Sequence, residues 1–372
     1  MVVHYRRMPI EIESPEQVGY DTITCNLTES SFADGRVDEL VGDLAGELGG
    51  LVLRYGDHLG LPELRAAIAH DAGGAVRADD VLLAPGAVAA LFFANTVLLG
   101  GSHAHLVVAR PNYATNIETP RAIGADVSFV DLTFGQGYEL DLDQVRSRCR
   151  PGSVVSLTYP HNPTGVTIDE ATLHDLIELV EQFEGRLLFD ETYREIVDGA
   201  PLPVAASLSS RVVSVSSMSK AFGLPGIRTG WAVTTDAELF ESLLAAKEQI
   251  VITGSIVDET LALGAWQRRA DILGRMRATV IGHRALVAEW IEREPGVDWV
   301  RPQGGAVCFP RLAEHVDVTA FYAALASTGT MVGPGHWFEQ PDRSFRLGYG
   351  WPTTTELQHG LDDLSRAITA AS

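Results

Sequence analysis

Apolar positions along the chain follow two rhythms. From about Asp79 to Trp231, short runs such as "VLLAPG", "HLVVARP", "VSFVDL", "VVSLTYP", "RLLFDE" and "VVSVSS" alternate with helix-length amphipathic stretches. Near-continuous apolar runs are what strands buried on both faces require. The alternation therefore predicts an α/β layer with a mainly parallel sheet of the seven-stranded type, sandwiched by helices. After Trp231 the rhythm lengthens. Helical patterns over about residues 236–247 and 271–293 precede strand-like "GVDWV" and "AVCFPRL", a helix near 319–327, "SFRLGYG" and a terminal helix. This predicts a smaller α+β domain. The expected division is a segment 1–40 that joins the small domain, a large domain 41–275 and a small domain 276–372. Neither a low-complexity linker nor an internal repeat interrupts it.

Composition narrows the function classes. With 372 residues, 46% apolar and 21% charged, the chain can bury a large core. A formal net charge of -21 opposes nonspecific binding to nucleic acid or to an anionic membrane surface, which leaves small molecules as the expected partners. Three well-separated cysteines, Cys25, Cys149 and Cys308, fit reduced thiols and share no metal-ligand spacing. No apolar run reaches the roughly 20 residues of a membrane helix, and "MVVHYRRMPIEIESPEQ" lacks a signal-peptide core. The expectation is a cytoplasmic enzyme with no metal.

In α/β sheets ligands gather at the carboxyl ends of the strands, and here five such ends are polar or glycine-rich. "LLAPGAVAAL" opens a helix at Gly86, Ala87 and Val88, whose free N–H groups suit a phosphate. "RPNY" brings Tyr113 to a rim. "YPHNPTG" exposes the Asn162 amide. "FDETY" delivers Asp190 at the end of an apolar strand, where a carboxylate is costly without a cation, and Tyr193 follows. "SSMSK" ends in Lys220, one of only two lysines in the chain, the other being Lys247. A phosphate cradle, a flat ring, an amide, a buried acid, a phenol and an amine are the inventory that pyridoxal phosphate needs.

The order "NPTG", "DETY", S-x-S-K and "GIRTGW" resembles the fold type I pyridoxal-phosphate enzymes, specifically the class I/II aminotransferases of the aspartate aminotransferase superfamily. The likeness runs from "RYGDHLGLPELRAAI" to "FRLGYG". It implies that Lys220 forms an aldimine with the cofactor, that Asp190 pairs with the pyridine nitrogen, and that Asn162 and Tyr193 bond the ring oxygen. Tyr113 matches the stacking ring. Gly86, Ala87 and Val88 match the phosphate turn, with Ser217, Ser219 and Arg228 as further phosphate contacts. Tyr55 matches a tyrosine that reaches the neighbouring subunit's phosphate, which implies a homodimer with shared sites. Arg346 matches the substrate-carboxylate clamp, a role suited to a planar guanidinium. The implied reaction moves an amino group from an L-amino acid to a 2-oxo acid.

Two segments depart from the family pattern. "TESSF" puts Thr28 where a glycine is usual, and Glu29 either faces solvent or helps select a cationic or polar side chain. In "GPGHWFE", Trp337 either lines the side-chain pocket with His336 or serves as packing. The departures keep a second reading open, a lyase or cyclase acting on a basic or hydroxylated amino acid in secondary metabolism. A more remote reading takes Ser217-Met218-Ser219-Lys220 as the S-x-x-K motif of a serine acylase.

Overall fold

The computed structural model describes residues 3–37, 45–101 and 104–372. Its strands are β1 Cys25–Leu27, β2 Val81–Ala84, β3 His105–Arg110, β4 Asp126–Asp131, β5 Val154–Thr158, β6 Arg186–Asp190, β7 Val212–Ser217, β8 Gly230–Val233, β9 Val297–Asp298, β10 Val307–Cys308, β11 Arg311–Leu312, β12 Thr330–Pro334 and β13 Phe345–Gly348. Seven of them form one sheet in the order β2-β8-β7-β6-β5-β3-β4. All its neighbours pair in parallel except around β8, which runs antiparallel to both β2 and β7.

The apolar runs explain why this sheet sits in the middle of a layer. Along β6, Leu187 and Phe189 point into one core while Leu188 points into the other, as a two-residue period demands. The helix Glu170–Gln182 covers the first face with Leu173, Leu176, Ile177 and Val180. The helices Gly86–Leu98 and Ala237–Ile250 cover the second with Leu91, Phe93, Phe240 and Leu243. Burying each such side chain contributes about 1.5–3 kcal/mol, so the sheet is a rigid platform for whatever its strand ends carry. Side-chain caps fix where the helices start: Asp169 accepts from Thr172 N and Asp236 from Leu239 N.

A second sheet has the order β1-β12-β13-β10. Its β1 comes from the N-terminal region and pairs in parallel with β12, Cys25 opposite Thr330 and Leu27 opposite Val332. Two details differ from the sequence reading. "AVCFPRL" is two strands in different sheets, β10 and β11, because Pro310 lies between them and has no N–H to continue a ladder. A helix not foreseen, Ile256–Gln267, starts where Ser255 Oγ accepts from Asp258 N at 3.2 Å. The helix Arg269–Arg293 runs without a break across the division expected after residue 275.

Candidate active site

The carboxyl ends of β2, β3, β5, β6 and β7 converge on a cavity of about 190 Å³. Of the residues singled out in the sequence, Ala87, Val88, Tyr113, Asn162, Asp190, Tyr193, Ser217, Ser219, Lys220 and Arg228 line it. Residues more than 130 positions apart in the chain thus meet because their strands are neighbours.

One corner is a cradle. Gly86 opens its helix at φ 81°, and a Cβ there would lie 2.4 Å from Arg228 Nη2. Gly230 is equally constrained, its Cβ position being 2.5 Å from the Gly86 carbonyl carbon. These close approaches bring the Arg228 guanidinium against the first turn of the helix, where unpaired N–H groups attract anions. Arg228 itself adopts a left-handed conformation at φ 37°, and its Nη1 donates to Ser219 Oγ at 3.2 Å and to the Pro225 carbonyl at 2.9 Å. Charge, free amides and hydroxyls in one corner suit a phosphate.

The same cavity is lined by Asp190, buried at the end of β6. Thr192 donates to its Oδ1 from the backbone N at 3.1 Å and from Oγ1 at 2.5 Å. Burial raises the Asp190 pKa, and the Thr192 hydrogen bonds oppose the rise. A buried carboxylate held ready in this way fits a protonated ring nitrogen. Tyr193 is buried beside it, its phenol pKa pushed up by burial, with Ser30 and Arg346 opposing. Burial also lowers the Lys220 pKa, Glu29 counters this, and Arg346 adds to it. A lysine so placed is a better nucleophile and proton carrier than one in water. The other lysine differs in kind. Lys247 is fully buried in the helix Ala237–Ile250 and its Nζ donates to the His58 carbonyl at 2.5 Å, a structural tether.

A second cavity of about 420 Å³ adjoins the first, sharing Ser30, Tyr113 and Lys220, and is lined in addition by Thr28, Glu29, Trp337 and Arg346. Arg346, on β13, is buried; its Nε and Nη2 donate to the Thr28 carbonyl at 3.1 and 2.6 Å, and its Nη1 to Asn162 Oδ1 at 3.2 Å. The guanidinium also packs 5.0 Å from the Phe338 ring centre. Three bonds on three nitrogens leave donors of the fork for a carboxylate. The position of Glu29 depends on Gly348, whose Cβ would fall 1.8 Å from the Glu29 carbonyl oxygen. Glu29 lines the cavity rather than facing away from it. Trp337 is 2% exposed and its Nε1 donates to Glu13 at 2.7 Å, so it is packed in place while presenting an edge to the cavity. Tyr55 is 77% exposed and lies outside both cavities of its own chain.

Several lining residues escaped sequence reasoning. Thr158 and Thr192 sit inside the quoted "SLTYP" and "DETY" and were available as strand-end hydroxyls. Ser30 and Glu16 enter from the N-terminal region, which no local pattern ties to the sheet.

The seven-stranded layer, the lysine at a strand end, and the cradle and buried acid in one cavity define a pyridoxal-phosphate enzyme of the aspartate aminotransferase-like fold type I. The chain belongs to the class I and II aminotransferase family, whose profile matches residues 23–364. It is 34% identical over 330 residues to capreomycidine synthase of Streptomyces vinaceus, covering 87% of this chain and 82% of that protein. It is 29% identical over 264 residues to an arginine–pyruvate transaminase of Pseudomonas aeruginosa, 68% of this chain and 65% of that one. The solved structure of the pyridoxal-phosphate-dependent cyclase OrfR superposes with a TM-score of 0.87 at 27% identity, covering 99% of each chain. This membership leaves no place for the serine-acylase reading of Ser217 and Lys220. Among the described residues, no helix is long and apolar enough to cross a membrane.

Proposed function

We propose that the enzyme transfers the amino group of an L-amino acid with a positively charged side chain to a 2-oxo acid, and that Lys220, Asp190 and Tyr193 are its catalytic residues. The observation that carries the substrate part is Glu29, a carboxylate lining the same cavity as Arg346 and Lys220. Arg346 suits the α-carboxylate, and Glu29 offers a complementary charge to the side chain. The likeness to an arginine–pyruvate transaminase supports a basic donor.

Bound pyridoxal phosphate supplies an electron sink for the bond broken at the α-carbon. Lys220 would hold the cofactor covalently, and its amine would be the base that moves the α-proton; such positioned bases contribute about 10²–10⁴ in rate. Asp190 would favour the protonated ring nitrogen. Asn162 and Tyr193 would serve the ring oxygen, and Tyr113 the ring face. Gly86, Ala87, Val88, Ser217, Ser219 and Arg228 would hold the phosphate, joined by Tyr55 of a second copy in a homodimer. Thr28, through its carbonyl, fixes the Arg346 guanidinium, and Trp337 closes the side-chain wall. We read the enzyme as cytoplasmic, in keeping with its three free cysteines.

A second reading, cyclisation or elimination on a basic amino acid, is favoured by the likeness to capreomycidine synthase and to the cyclase OrfR. One experiment separates the two. Holoenzyme is mixed with a basic L-amino acid and no 2-oxo acid. Transfer gives one equivalent of oxo acid per site and then stops, whereas the second reading gives continued turnover.

A further inference from the structure

We infer that Glu16, on the short N-terminal helix Pro15–Val18, is a second specificity residue, and that Glu16 and Glu29 together receive a planar guanidinium at the far end of the substrate. The inference rests on the reading that Arg346 holds the α-carboxylate. Both glutamates line the cavity of about 420 Å³ that also carries Arg346 and Lys220. A ligand in this cavity is already required by the reaction, so the acidic wall has a fixed counterpoint: one end of the substrate is anchored on the buried Arg346 of β13 and the other extends toward the N-terminal segment.

The charges of that wall are not equally available. The Glu11 carboxylate accepts from Met8 N, and Arg7 Nη2 is occupied by the Glu11 carbonyl at 2.8 Å and by Gln17 Oε1 at 2.9 Å. Glu13 does not line this cavity; it is taken up by His336 Nε2 at 2.9 Å and by Nε1 of the lining Trp337 at 2.7 Å. Glu16 and Glu29 instead have neutral polar neighbours, Tyr20 and Asn26 respectively. Glu29 gains most from Lys220 among the cations around it, with Arg346 contributing less, and the nearby Glu16 works against its ionisation. In the resting holoenzyme Lys220 would be bound to the cofactor, and Glu29 would lack the free ammonium that steadies it. A cation delivered by the substrate replaces it and relieves the repulsion between the two carboxylates.

The shape of that cation follows from where the carboxylates come from. Glu16 approaches on the N-terminal helix and Glu29 on the turn after β1, so the charge is met from two chain segments. A guanidinium spreads five N–H donors over a plane and serves two acceptors from different directions, whereas an ammonium is a compact, strongly hydrated point. A neutral chain of equal length leaves Glu29, the less exposed of the two, without a partner, at a cost set by its desolvation.

The test uses holoenzyme and two readouts. Calorimetry measures binding of 5-guanidinopentanoate, 6-aminohexanoate and hexanoate, which are arginine, lysine and norleucine without the α-amine. The cofactor absorbance is titrated with L-arginine, L-lysine and L-norleucine. The expected order is guanidinium, then ammonium, then neutral. Glu16→Gln weakens 5-guanidinopentanoate by about two- to fivefold, as befits an exposed charge, and Glu29→Gln weakens it by more than about tenfold; hexanoate binding is not weakened in either. If hexanoate and norleucine bind as well as their cationic counterparts, or Glu16→Gln leaves guanidinium binding intact, the inference fails while amino-acid chemistry stands. If no amino acid changes the cofactor absorbance, the functional reading fails and takes the inference with it.

Discussion

At Gly86 a single hydrogen in place of a side chain leaves room for the Arg228 guanidinium, and with it for the proposed phosphate corner. The residue sits at φ 81° with the Arg228 guanidinium 2.4 Å from where a Cβ would be. A left-handed conformation costs an L-residue about 1–2 kcal/mol, and the new methyl also displaces Arg228. Gly86→Ala is therefore expected to weaken cofactor affinity by at least about tenfold, measured by titrating apoprotein with pyridoxal phosphate; unchanged affinity would remove the cradle from this account. The residues that the sequence disclosed best, Lys220, Asp190, Asn162 and Arg228, share this dependence on local context, since each ends or follows an apolar run. Glu16 was not legible, because its place in the site is set by the packing of the N-terminal region and not by neighbours in sequence, whereas Ser30 sits within "TESSF" beside Thr28 and Glu29. For Glu29 the sequence left two orientations open, and the close approach of Gly348 to its backbone, a long-range contact, accompanies the inward one.

At the scale of elements, the N-terminal helices lie against the segment Gly335–Phe338 through one junction. His336 Nδ1 pairs with Asp342 at 2.8 Å and Nε2 with Glu13 at 2.9 Å, and Trp337 Nε1 donates to the same Glu13 oxygen. Burial alone would lower the His336 pKa, but hydrogen bonds to Glu13 and Asp342 outweigh it and the net shift is upward. A histidine whose folded pKa is raised contributes stability that is full below its unfolded value near 6.5 and is lost as pH rises through the raised value. The junction is partly exposed, so the effect is local. Amide hydrogen exchange, corrected for its intrinsic pH dependence, should show the segment 9–18 losing protection as pH rises above neutrality, and His336→Gln should abolish that dependence. Protection that follows pH equally in the variant would assign the effect elsewhere. The sequence conveyed the α/β layer well because parallel strands buried on both faces leave a strong apolar signature. The small sheet was harder to read, since β9, β10 and β11 have two residues each, too few for any period to register.

For the whole molecule, the proposed homodimer would cover the exposed Tyr55 and, beside it, Val52 and Leu53, 72% and 80% exposed, and would carry Tyr55 to the partner's phosphate corner. Shared sites make a specific prediction. Tyr55→Ala and Lys220→Ala are each expected to be impaired, yet subunits mixed and allowed to exchange should regain activity, because a mixed dimer concentrates both defects in one site and leaves the other intact. Mixtures no more active than their parents would argue for sites complete within one chain. Everything else in the account depends on which amine carries the cofactor, and the chain has only Lys220 and Lys247 to offer. Borohydride reduction of the holoenzyme, followed by digestion and peptide mass analysis, answers this directly. The account predicts the pyridoxyl adduct on Lys220, in the peptide containing "SSMSK", and none on the buried tether Lys247; an adduct on Lys247, or none on Lys220, would contradict it.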